Sequence, residues 1–192
     1  AGRYRVERLL GRGGFAEVYL ARHVEISSLK VAIKVLHPVH RERAVILRRF
    51  RREAGVLGLL RNRHTVRLID FGSTEDETPY LVMEYVEGAP LDRVIRQQGP
   101  MRDSDVARVA IGTLKALAEA HDLGVVHRDL KPGNIFLVNE PGETHPVARV
   151  LDFGIAKVMG DPDTDVRSAA GSVLVAKTRT DAVFCTPMYA AP

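Results

Sequence analysis

Tryptophan is absent from these 192 residues, cysteine occurs once, and aromatic side chains make up only 6%. No apolar run approaches the eighteen or so residues that a membrane-spanning helix needs. A single cysteine, Cys185, excludes an internal disulfide and agrees with a reducing compartment. The opening residues AGRYRVERLLGRGG hold no apolar signal-peptide core, so the segment is expected to be cytoplasmic and without a membrane span. Excess charge is lacking too. The 28 basic and 24 acidic side chains leave a formal +4, too little to call for a nucleic-acid partner. The densest basic run, residues 41 to 52, carries apolar residues at helical spacing and reads as a solvated helix face. There is no repeat and no low-complexity tract. What remains is globular: 45% hydrophobic and 27% charged residues, in a chain long enough for one large or two small packed units.

The densest chemistry lies in His127-Arg128-Asp129-Leu130-Lys131-Pro132-Gly133-Asn134, just after the apolar Gly124-Val125-Val126. Phosphoryl transfer needs an acceptor for the nucleophile's proton, a cation near the moving group and oxygen ligands for Mg2+. Asp129, Lys131 and Asn134 are residue types that fit. The order HRDLKPGN also resembles the catalytic loop of protein kinases. That resemblance implies that Asp129 orients and deprotonates a substrate hydroxyl and that Asn134 holds a magnesium ion.

Upstream, residues 4 to 10 and 17 to 22 alternate like strands around Gly11-Arg12-Gly13-Gly14-Phe15-Ala16. Glycines there let backbone N–H groups approach phosphate oxygens. The same residues satisfy a dinucleotide-binding fingerprint, but that fold requires a helix directly afterwards, and Glu17-Val18-Tyr19-Leu20 reads as a strand. A hairpin over the phosphates of ATP is therefore expected, with Ala16 where kinases usually carry a third glycine. Val31-Ala32-Ile33-Lys34-Val35-Leu36 is a strand interrupted by one lysine and resembles the kinase VAIK strand. The next helix, about residues 42 to 60, places Ile46, Phe50, Glu53, Leu57 and Leu60 on one stripe. A carboxylate inside an apolar stripe is costly without a cation, and Lys34 is the candidate.

Two more strands are expected at residues 66 to 71 and 80 to 85. The first runs into Asp70-Phe71-Gly72, which spells the kinase magnesium motif but precedes the catalytic loop, and is read as a strand-ending turn. By resemblance to the kinase hinge, Met83 is the gatekeeper, and the backbones of Glu84 and Val86 bond adenine. Leu10, Val18, Ala32 and Phe136 then sandwich the base. A short helix is expected at residues 90 to 98. A long one runs from 104 to 123, with Asp103 or Ser104 as N-cap, an apolar stripe Val106, Ala110, Leu114 and Leu117, and Gly124 as its stop. A hairpin at residues 135 to 138 and 147 to 151 delivers Asp152-Phe153-Gly154, where Asp152 is the second expected magnesium ligand. Residues 155 to 192 resemble an activation segment, with Thr178 and Thr180 as candidate phosphorylation sites and Cys185-Thr186-Pro187 near a substrate shelf.

The fold class expected is α+β, the two-lobed kinase architecture. Residues 1 to 86 form a β-rich N-lobe with one helix, and 87 to 192 form the first part of a mainly helical C-lobe. Further C-lobe helices are absent from these residues, so the segment reads as a fragment or a defective remnant. The activity implied is transfer of the γ-phosphate of Mg-ATP to Ser or Thr hydroxyls of protein substrates, with Lys131 and Thr186 favouring that branch over tyrosine kinases. The motif wording looks most like the bacterial members. The rival reading is a pseudokinase, a nucleotide-binding or scaffold module; Ala16 and the altered end of the activation segment speak for it. Transfer of labelled phosphate to a generic protein separates the two.

Overall fold

The computed structural model describes residues 2–40 and 43–153. Its first half is a five-stranded antiparallel sheet. Strand β1 (Tyr4–Arg12) pairs with β2 (Ala16–His23), β2 with β3 (Lys30–Leu36), and β3 with β5 (Pro79–Glu84), which pairs in turn with β4 (Leu68–Ser73). Helix α1 (Ala44–Leu59) lies between β3 and β4 in the chain. Its stripe runs as the periodicity predicts: Phe50, Leu57 and Leu60 are buried among Leu36, Leu81 and Met83, Ile46 packs against them, and Glu53 is buried on the same face.

The second half holds a three-stranded sheet of β6 (Gly88–Pro90), β7 (Ile135–Val138) and β8 (Val147–Val150), with helices α2 (Leu91–Gln98) and α3 (Asp103–Asp122) between β6 and β7 in the chain. The two halves share one apolar core. Ala116 and Ala120 of α3, Val150 at the end of β8, and Phe153 join the cluster built on α1 and β5.

The sequence reading needs three corrections here. Helix α3 begins at Asp103 with Arg102 as N-cap, and no side chain caps it; Asp103 and Asp105 in the first turn instead complement the helix dipole. Its packed face is made of Val109, Gly112, Thr113, Ala116 and Ala120, while Val106 and Leu114 of the expected stripe stand 50% and 63% exposed. Small residues won because they let the helix approach β8 closely, so the larger apolar side chains mark its outer face. Third, Asp70-Phe71-Gly72 lies inside β4 and not in a turn. Gly72 faces Tyr80 across the ladder, and a Cβ there would meet the tyrosine hydroxyl at 2.6 Å. Phe71 stacks obliquely on Phe50, and Asp70 pairs with Arg3. The motif is thus spent on packing.

The stop of α3 is as expected. Gly124 adopts φ +71°, and N–H groups of Gly124 and Val125 bond the carbonyls of His121 and Ala120 at 2.8 Å each. The chain then turns directly into residues 127 to 134.

Candidate active site

Glu53 is brought to Lys34 by the pitch of α1 acting against the register of β3. Lys34 Nζ donates to Glu53 Oε1 at 2.6 Å and to Asp152 Oδ1 at 2.9 Å. Burial alone would lower the Lys34 pKa, but Asp152 and Glu53 more than reverse this and hold it above the ordinary lysine value. For Glu53, burial raises the carboxyl, with Lys34 opposing. The Lys34 ammonium keeps Asp152 below the usual carboxylate range in spite of desolvation, and half of the Asp152 side chain stays open to the cavity.

The loop after α3 supplies the opposite wall. Lys131 Nζ lies 3.0 Å from Asp129 Oδ2, and the Asn134 amide donates to the Asp129 carbonyl at 2.8 Å and to Oδ2 at 3.2 Å. With its nitrogen so engaged, Asn134 has its side-chain oxygen to offer a cation. Buried His127 fastens this loop to the segment before Asp152: its Nε2–H donates to the Leu151 carbonyl at 2.9 Å, its Nδ1 accepts from the Asp129 N–H at 3.3 Å, and its ring packs on Phe153 at 4.8 Å. Desolvation lowers the His127 pKa against the pull of that carbonyl and of Asp129 and Asp152. Leu151 N–H also bonds the Asn134 carbonyl at 2.8 Å. Arg128 and Asp152 hold φ of +60° and +46°, a left-handed conformation uncommon for residues with side chains and often found at functional sites.

Both walls face one cavity of about 480 Å3 roofed by the β1–β2 hairpin. Of the residues singled out from the sequence, Gly11, Gly13, Gly14, Val18, Lys34, Glu53, Asp129, Lys131, Asn134 and Asp152 line it. Leu10, Ala32, Met83, Glu84, Val86 and Phe136 do not. Met83 is buried opposite Ala32 in the β3–β5 ladder, Phe136 lies opposite Arg149 in β7–β8, and the Glu84 N–H is taken by the Arg67 carbonyl at 3.0 Å. Ile46, Phe50 and Phe153 also line the cavity, though the sequence reading gave them no part in a site; the first two were visible only as members of the α1 stripe. Ala16 sits with its methyl in the main core, which accommodates the departure from glycine. Gly154, Thr178, Thr180, Cys185 and Thr186 lie outside the described residues.

A mixed α and β fold whose two halves meet at a lysine, two carboxylates and an Asp-Lys-Asn loop under a glycine hairpin is the arrangement that the sequence resemblance to protein kinases implies. The sequence matches the protein kinase domain over residues 4–192, and the chain belongs to the protein kinase family. It is 42% identical to serine/threonine-protein kinase pkn2 of Myxococcus xanthus over 192 residues, covering all of this chain and 21% of the relative. It is 37% identical to serine/threonine-protein kinase pkn3 of the same organism over 193 residues, all of this chain and 33% of that one. With PrkC of Bacillus subtilis it shares 39% over 174 residues, 90% of this chain and 26% of the relative. The crystal structure of the M. tuberculosis PknI kinase domain superposes with a TM-score of 0.66 at 30% identity, covering 80% of this chain and 59% of that one. The relatives mark the family's bacterial serine/threonine branch, and the chain spans a third or less of the length of these three. Among the described residues no helix is long and apolar enough to cross a membrane.

Proposed function

We propose that this chain is the catalytic part of a protein serine/threonine kinase that transfers the γ-phosphate of Mg-ATP to Ser or Thr hydroxyls of protein substrates. The observation that carries the reading is the meeting of Lys34, Glu53 and Asp152 with Asp129, Lys131 and Asn134 around one cavity.

In this reading Glu53 holds Lys34 extended so that its ammonium meets the α- and β-phosphates. Asp129 orients the acceptor hydroxyl and takes its proton, and Lys131 beside it stabilises charge on the moving phosphoryl group. The carboxylate of Asp152 and the amide oxygen of Asn134 are hard oxygen donors of the kind Mg2+ prefers, so these two residues fit as its ligands. When bound, the ion screens phosphate charge. Leu10, Val18, Ala32, Met83, Val86 and Phe136 are proposed as the adenine end, where the backbone of Val86 and, since the Glu84 N–H is taken by Arg67, the carbonyl of Glu84 bond the base. The boundary between N-lobe and C-lobe falls at about residue 86.

The test is transfer of labelled phosphate from Mg-ATP to a generic protein by the complete chain, beside Asp129→Asn. Incorporation on serine or threonine, lost in the variant, is expected. Nucleotide binding without any transfer would overturn the assignment in favour of a pseudokinase.

A further inference from the structure

We infer that His37 and His40 are positioning residues for nucleotide phosphates, acting through the carbonyl oxygens of the glycine hairpin. The inference rests on the ATP reading above. After β3 the chain makes a 3-10 turn, Pro38–His40, closed by the His40 N–H on the His37 carbonyl at 2.9 Å. Residues three apart in such a turn eclipse one another, which carries both imidazoles to one side. That side is the hairpin. His37 Nε2 lies 3.0 Å from the Gly13 carbonyl, the His37 N–H donates to the Phe15 carbonyl at 2.8 Å, and His40 Nε2 lies 3.4 Å from the Gly14 carbonyl. The Phe15 ring rests on the His40 ring at 5.3 Å.

Three consecutive carbonyls are thereby drawn toward one segment. Each shares a planar trans peptide with the next residue's N–H, which points the opposite way. The amides of Gly14, Phe15 and Ala16 are therefore turned away from the histidines. Gly13, Gly14, Phe15 and Ala16 line the cavity whereas His37 and His40 do not, so the hairpin stands between the two. Fixing the carbonyls thus aims amide donors at the place where phosphate oxygens would lie, before any ligand arrives. Glycines on their own would let those planes rotate, and the histidines remove that freedom where a side chain on the loop would crowd the phosphates. Neither histidine needs to touch the nucleotide.

The test measures, in the complete chain, dissociation constants for the non-hydrolysable analogue AMP-PNP with Mg2+ and for adenosine, which has no phosphate. His37→Leu should weaken AMP-PNP about fivefold to tenfold, the size of one lost hydrogen bond, and leave adenosine unchanged. His37→Gln, whose amide can donate to the Gly13 carbonyl, should recover most of the loss. His40→Phe keeps the ring contact without the donor and should fall between; should His37→Leu not fold, this variant decides. Equal losses for both ligands would make the histidines merely structural, and no change in either would make the contacts idle; both results overturn the inference. Wild-type protein binding AMP-PNP no better than adenosine would instead overturn the phosphate site itself.

Discussion

Lys34 is held, mostly buried, between two carboxylates, and this sets what its loss should do. Lys34→Ala in the complete chain is expected to lower turnover by about two to three orders of magnitude, the size of one preorganised electrostatic donor, with less change in nucleotide affinity. Asp152→Asn should be at least as damaging. Asp70→Asn, in the look-alike motif on β4, should leave turnover nearly intact, since that carboxylate pairs with Arg3 outside the cavity. Steady-state kinetics on the three variants decides; near-normal turnover for Lys34→Ala sinks the assignment. His127 gives a pH signature. Its folded-state pKa is depressed, so the folded form binds fewer protons than the unfolded one, whose histidine titrates at about 6.5. Its contribution to stability is complete above that pH and lost as pH falls toward the folded-state value, because a second ring proton would confront the Asp129 N–H. The drop in melting temperature between about pH 7.5 and 5.5 should shrink in His127→Gln. A drop of unchanged size would show that His127 does not carry it. The carboxylate of Asp152 moves the other window, well below the first, where acid removes its pairing with Lys34.

Among the elements, α1 was the most legible in sequence, because a glutamate inside an otherwise apolar period is an anomaly that only a buried partner resolves. Every strand but β6 was legible in place, with ends moved by no more than two residues. Helix α3 was legible in length and stop but not in facing: periodicity weighs large apolar side chains, and Ala116 and Ala120 bury an interface that needs small ones. The 37–40 turn was invisible, since its contacts reach back across 24 and 26 residues and depend on the path of a loop. Strand β6 illustrates a similar dependence on pairing. A Cβ on Gly88 would stand 2.3 Å from the Leu137 carbonyl oxygen, a backbone atom that cannot swing aside. Gly88→Ala should therefore cost about 2 kcal/mol or more by parting β6 from β7. Gly11→Ala meets nothing within 4 Å and should leave stability unchanged. Chemical denaturation of both variants tests the contrast, and equal stability in the two would contradict the close approach.

At the scale of the whole molecule, the two sheets are tied by charge as well as by their common core. Arg149 on β8 donates to Glu84 at the end of β5 at 2.8 Å and to Glu140 at 2.6 Å, and Arg63 joins Glu140 and Glu143 at 2.8 and 2.6 Å. Arg149 is mostly buried, so its hydrogen bonds are poorly replaced by water. Arg149→Met should lower stability by about 1 to 3 kcal/mol. A cycle with Glu84→Gln should return a coupling of at least about 0.5 kcal/mol, and strict additivity would mean that the link between the sheets is carried by packing alone. Nothing in the sequence named this network, because its members are ordinary charges at ordinary spacings until the fold collects them.

Residues 150 to 152 are stitched on several sides: the Val150 N–H to the His64 carbonyl at 2.7 Å, the Leu151 N–H to Asn134 at 2.8 Å, and the Leu151 carbonyl to the His127 ring at 2.9 Å. The Val150 amide, bonded to a carbonyl of the first half and fully buried, sits at the seam where the halves meet. Deuterium can reach it only when the halves part, so its exchange should report the opening free energy of the entire fold, while the hairpin amides over the cavity exchange through small local excursions. Val150 would then serve as a built-in clock for separation of the halves. If it exchanges as quickly as Gly14, the seam opens on its own, and the geometry of Asp152 is reset more often than the fold is.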